Sequence, residues 1–323
     1  MLLHGILGYI GLTELSRPKT RNLEVVRLFA KLTCVQEIII DTPKDFEAPK
    51  PPAPVLIEQP SPNNPPWNSG VAFGVWFASV VLILVVPSII LLPYVLSIAS
   101  QYADNTELVE FIKTDPTAII LQISAVIPAH IVTILLAWFV VTRMRTYSFR
   151  ETLGWQAGGP IWWLYYGAIL AGFFIVAGVV GNFFPEQEND LIRILKSSRS
   201  AVYLVAFMAT FTAPLVEEVV YRGILYSAFQ RTFGVTFGVV SVTFLFAVVH
   251  VPQYYPSFST IFLLTLLSLI LTLVRVRTDN LLPCVILHTI FNAVQSGALI
   301  LEPYLSAENT VKEVPSAVFQ LFK

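Results

Sequence analysis

Six polar residues stand out in a part of this sequence that is otherwise apolar. Glu217, Glu218 and Arg222 lie in Ala-Pro-Leu-Val-Glu-Glu-Val-Val-Tyr-Arg-Gly, His250 follows Phe246-Ala-Val-Val, and His288 and Asn292 share Leu-His-Thr-Ile-Phe-Asn. From Ala201 to Val274 the only formal charges are Glu217, Glu218, Arg222 and Arg231. A carboxylate beside an imidazole is a general acid–base pair, and an imidazole beside an amide can donate hydrogen bonds to a developing oxyanion. Glu218 and Arg222 are four apart with the glutamate first, the favourable order for a helical ion pair. Glu217 is rotated about 100° from Glu218 on a regular helix and has Tyr221 as its own i+4 neighbour. One carboxylate therefore has a structural partner, and the other is the candidate base.

The remaining residues are placed by two helices that turn back on each other. A turn at Thr232–Gly234 lies nearly midway between Glu217 and His250, so an antiparallel helix pair would hold them at one depth. His288 and Asn292 share a helix face. Taken singly, a histidine in an apolar helix reads as a packed, hydrogen-bonded core residue, and His4 and His130 are read that way. Carboxylate, two imidazoles and an amide on three separate segments point instead to one shared site.

Composition says where that site must be. Of 323 residues, 55% are hydrophobic and 13% charged, with net charge −1; soluble domains carry about 25% charged residues. Mean hydropathy is +0.70. These values exclude extended disorder and a basic nucleic-acid binder, so no nucleic-acid partner is expected. Two cysteines, Cys34 and Cys284, are too few for a disulfide scaffold or a thiolate zinc cluster. A spanning helix needs about 20 mainly apolar residues, and seven stretches qualify: 71–100, 117–142, 161–180, 201–233, 235–250, 260–274 and 281–301. The expected fold is all-α, a polytopic transmembrane bundle of seven to eight helices in the lipid bilayer. At bilayer depth each charge costs about 2.5–3.5 kcal/mol or more, which makes the glutamate pair a functional hypothesis by default.

Residues 1–42 read as a soluble or membrane-surface segment. Nine prolines between 43 and 66 read as an extended spacer rather than a PxxP ligand. The bundle is expected over 67–323. With the N-terminus cytoplasmic, fourteen Lys and Arg fall inside and six outside, which favours that orientation.

Glu217-Glu218-x-x-x-Arg222, Phe246-x-x-x-His250 and His288-x-x-x-Asn292, in order and with intact spacing, resemble the CAAX prenyl protease 2 and bacteriocin-processing family of intramembrane proteases. The resemblance covers about 160–300 and implies an all-helical bundle with a membrane-enclosed site. It implies peptide-bond hydrolysis on hydrophobic or prenylated peptide or protein substrates. Glu217, helped by His250, would activate a water; His288 and Asn292 would stabilise the oxyanion; Glu218, Arg222 and Phe246 would support them. The reading needs no cofactor. Its alternative is a zinc ion on Glu217, His250 and His288, with Glu218 as base, which would leave Arg222 unpaired in the membrane. Two other classes compete: a non-catalytic immunity factor or scaffold of the same fold, and a proton-coupled transporter, whose inverted repeats have no counterpart here.

Overall fold

The computed structural model describes residues 59–157 and 160–308. The segments expected at 1–42 and 43–58, with His4, lie outside the described residues. Among those described, the chain is helical and has no strand.

The helices are α1 (Ser69–Ile98), α2 (Asn105–Thr114), α3 (Pro116–Thr142), α4 (Phe149–Leu153), α5 (Pro160–Phe183), α6 (Asp190–Ser197), α7 (Arg199–Phe207), α8 (Ala213–Glu218), α9 (Tyr226–Phe233), α10 (Val235–Tyr254), α11 (Phe258–Thr278) and α12 (Leu282–Glu308). Two π-helical stretches, Met208–Thr212 and Val219–Leu225, join α7 to α8 and α8 to α9. Among the described residues, seven segments are long and apolar enough to cross a membrane: 69–101, 116–142, 162–183, 199–233, 235–254, 258–278 and 282–302. These are the seven expected from the sequence. The chain is a multi-pass integral membrane protein, an all-α bundle whose lipid-facing surface keeps large apolar side chains such as Leu84, Ile175, Phe211 and Phe244 exposed.

Local signals start and stop the helices. Pro116 fits the first turn of α3, where its missing N–H costs nothing, and the Asp115 carboxylate accepts from Ala118 N at 2.8 Å. Gly154 ends α4 at φ +69°, and a Cβ there would sit 2.4 Å from the Asp279 carbonyl oxygen. Only glycine meets both demands. Gly234 (φ +89°) forms the expected turn between α9 and α10.

The last residues of the proline-rich stretch lie against the end of the bundle that carries this turn. Arg275 Nη2 donates to Pro62 O at 2.7 Å and Gln230 Nε2 to Asn63 O at 2.8 Å. Arg231 donates to the carbonyls of Pro65 and Trp67. The Trp67 indole in turn donates to Ile224 O at 3.0 Å, reaching a carbonyl of the second π-helical stretch.

Candidate active site

Glu218 and Arg222 form the buried foundation of the site. Both side chains are fully buried, and Arg222 Nη1 donates to Glu218 Oε1 at 2.8 Å. The other guanidinium nitrogens are used as well. Nη2 donates to Ser268 Oγ at 2.7 Å and Ser268 O at 2.9 Å, and Nε donates to Thr272 Oγ1 at 3.2 Å. The guanidinium carbon lies 4.9 Å from the centroid of the Phe246 ring, a cation–π contact strengthened where water is excluded. An ion pair this deep survives because nearly every polar atom has a partner. Glu218 Oε2 is the exception, a buried oxygen without a hydrogen bond among the described residues.

Glu218 does more than pair with Arg222. Its Oε1 also receives His288 Nδ1 at 2.8 Å. The motif spacing could not show this contact, because it joins two helices far apart in sequence. A carboxylate already committed to Arg222 accepts here, so Nδ1 carries the proton and Nε2 of His288 points elsewhere. That nitrogen lies 3.8 Å from Glu217 Oε2. On the opposite side His250 Nε2 lies 4.0 Å from Glu217 Oε1, so the depth match expected from the turn holds. His250 Nδ1 contacts Phe246 O at 2.7 Å. A carbonyl oxygen can only accept, so this ring too carries its hydrogen on Nδ1. Phe246 thereby supports the site through its ring and its backbone, its centroid lying 4.7 Å from that of the His250 ring.

Glu217 and His250 are not in direct hydrogen-bond contact, because 4.0 Å is too long. The Glu217 side chain is 21% exposed and that of His250 19%, against 0% for Glu218. Only Glu217 of the glutamate pair can meet water.

Asn292 is held by an unusual backbone feature. In the first π-helical stretch the Ala213 N–H reaches back five residues to Met208 O. The next carbonyl in that register, Ala209 O, would need a donor from residue 214, which is Pro214 and has none. Asn292 Nδ2 supplies it, at 2.7 Å. One turn along α12, Thr210 Oγ1 donates to Ser296 Oγ at 3.1 Å and Ser296 Oγ to Ala206 O at 3.4 Å. His288, Asn292 and Ser296 thus form a polar ladder along one face of α12.

Glu217, His250, His288 and Asn292 line a single cavity of about 520 Å³. The walls are mainly apolar, with Ile83, Phe173, Leu191, Leu195 and Leu267 among them. Several polar wall residues carry no sequence signal for a site. His130 is buried as a core histidine would be, with Nδ1 2.9 Å from Thr212 Oγ1, yet it also faces the cavity. Tyr221 accepts from Trp76 Nε1 at 3.1 Å, and Glu186, Gln253 and Thr260 line the same cavity.

A catalytic zinc ion binds nitrogen and oxygen ligands at about 2.0–2.2 Å in tetrahedral geometry, which requires its donors to stand roughly 3.3 Å apart. The carboxylate-to-imidazole separations of 4.0 and 3.8 Å are wider. No group of three or more His, Cys, Asp or Glu among the described residues is arranged to hold a metal ion. In this arrangement the donors stand wider apart than a tetrahedral zinc would hold them. A water at about 2.8 Å from two partners, by contrast, spans about 4 Å when the angle between them is near 90°.

No curated protein and no solved structure matches this chain. Residues 199–294, which carry every residue of the expected site, match the family model described as Rce1-like, type II CAAX prenyl endopeptidase Rce1-like, and so bear out the resemblance to the CAAX prenyl protease 2 and bacteriocin-processing family.

Proposed function

We propose that this chain is a CAAX-type intramembrane endopeptidase in which Glu217 and His250 activate a water against a peptide carbonyl, without a metal. One observation carries the reading: a single carboxylate stands between the Nε2 atoms of two histidines at 4.0 and 3.8 Å, on the wall of an apolar cavity. With its hydrogen on Nδ1, neutral His250 offers a lone pair toward the Glu217 carboxylate. A group between two acceptors must donate to both, and water does so while keeping oxygen lone pairs for attack.

In the forward step a bond forms between the water oxygen and the scissile carbon, one water proton passes to Glu217, and the carbonyl electrons move onto oxygen. The oxyanion is met by the second N–H of the Asn292 amide, beside the His288 imidazole that Glu218 holds through Nδ1. Such a donor is worth about 2.7–4 kcal/mol. Glu217 then delivers its proton to the leaving nitrogen as the C–N bond breaks, which restores the carboxylate. Glu218 and Arg222 position this machinery from behind it. The cavity lining suits hydrophobic or prenylated peptides, the substrate class the family resemblance implies. The Lys and Arg distribution supports a cytoplasmic N-terminal side.

The test is cleavage by purified full-length protein in mild detergent of a farnesylated CAAX peptide and a set of hydrophobic peptides, with and without a zinc chelator. Wild type is expected to cleave with or without chelator, and folded Glu217→Gln to lose about 10²–10⁴-fold. Full activity in Glu217→Gln would overturn the base assignment. Chelator-sensitive activity restored by stoichiometric zinc would overturn the metal-free route.

A further inference from the structure

Among the described residues, the cavity is lined by two carboxylates and by no lysine or arginine. One carboxylate is Glu217. The other, Glu186, sits in the connection between α5 and α6, outside the spanning helices. Its Oε1 accepts from Thr260 Oγ1 of α11 at 3.1 Å and from Asn189 Nδ2 at 3.2 Å. Asn189 is itself buried and caps α6, its Oδ1 accepting from Ile192 N at 3.0 Å. Glu186 is thus held by two separate elements. Its Oε2 accepts no hydrogen bond from the described residues.

The cations of α6, which follows this connection, are engaged elsewhere: Arg193 pairs with Asp190, and Lys196 with Glu188 at 3.3 Å. Glu186 therefore faces the cavity with no cationic partner among the described residues. Burial pushes its carboxyl above the usual carboxylate range, against the opposing pull of the Thr260 and Asn189 hydrogen bonds. A positive group arriving from outside would relieve that burial, and a negative one would add to it. Gln253, which also lines the cavity, supplies both an amide donor and an acceptor.

We infer that Glu186, with Thr260 and Gln253, forms a subsite that selects substrate peptides carrying a basic side chain and disfavours acidic ones. The inference rests on the endopeptidase reading for its substrate, and deepens it by naming which charge the cavity accepts at Glu186. Glu186 acts here as a specificity determinant and takes no part in bond breaking.

The test uses full-length protein and three hydrophobic peptides that differ only in Lys, Leu or Glu at successive positions flanking the scissile bond. Wild type is expected to favour the Lys peptide over the Glu peptide by about tenfold or more at one position, mainly through KM. Glu186→Gln should bring that ratio close to one, and Glu186→Lys should invert it. A Lys-to-Glu ratio in Glu186→Gln equal to that of wild type would overturn the inference. If wild type cleaves none of the peptides, the endopeptidase reading is what fails. The subsite is then decided by fluorescence anisotropy of the same labelled peptides: a Lys-over-Glu binding preference lost in Glu186→Gln supports it, and equal affinities overturn it.

Discussion

Removing Arg222 alone should do more harm than removing Arg222 and Glu218 together. In Arg222→Met the Glu218 carboxylate stays fully buried with its cation gone, a situation that costs about 3–5 kcal/mol. In the double variant Arg222→Met/Glu218→Met the buried charge disappears as well. What remains is His288 Nδ1–H without its acceptor, worth about 1–3 kcal/mol. The loss of the Phe246 cation–π contact is common to both and cancels. The double variant is therefore expected to be the more stable by about 2 kcal/mol. At roughly 2–4 °C per kcal/mol, the midpoint should fall about 10 °C in the single variant and about 5 °C in the double one. The assay is thermal unfolding in one detergent at one scan rate, alongside peptide cleavage. Cleavage should be low in both despite their different stability, because Glu218 also orients His288. A double variant as unstable as the single one would refute the reasoning, since the uncompensated carboxylate could not then be the source of the loss.

Other perturbations separate chemistry from scaffold. Asn292→Ala should lower kcat about 10²–10³-fold through the lost oxyanion donor and cost about 1–3 kcal/mol through the orphaned Ala209 carbonyl, read by single-turnover cleavage and thermal unfolding. Glu186→Gln should alter the pH dependence of stability. A carboxyl raised by burial contributes stability that is complete below its ordinary value of 4.5 and lost as pH rises through its raised value. The variant should therefore unfold at higher temperature than wild type at pH 8, with the gap closing as the pH falls toward 4; a gap independent of pH would count against this. Gly154→Ala should destabilise by more than about 1 kcal/mol, because its φ of +69° and the Asp279 carbonyl leave no room for a methyl group; an unchanged midpoint would contradict that.

The spans were legible in the sequence because nothing but length and apolarity decides them, and the turn at Gly234 sufficed to bring Glu217 and His250 to one depth. The link from His288 to Glu218 was not legible. It depends on how α12 packs beside α8, which no local spacing reports. The π-helical stretches were hidden because residues 201–233 read as one regular helix. Pro214 was the available clue, since a proline inside a span leaves a carbonyl to be met from another helix. His130 looked like a core residue and is one, although it also borders the cavity. Glu186 had no signal at all: a glutamate in a connection between spans is unremarkable until the fold turns it inward.

The ladder along α12 also answers a question of assembly. Between helices in lipid there is little hydrophobic force to choose one vertical alignment over another, since any sliding trades one apolar contact for a similar one. Sliding α12 by one turn, about 5.4 Å, would unmake three polar contacts at once: His288 with Glu218, Asn292 with Ala209 and Ser296 with Ala206. His288 and Asn292 of the proposed site therefore double as the key that aligns the final helix. A descendant that abandoned catalysis could not discard them freely, because it would first need another means of telling α12 where to stop.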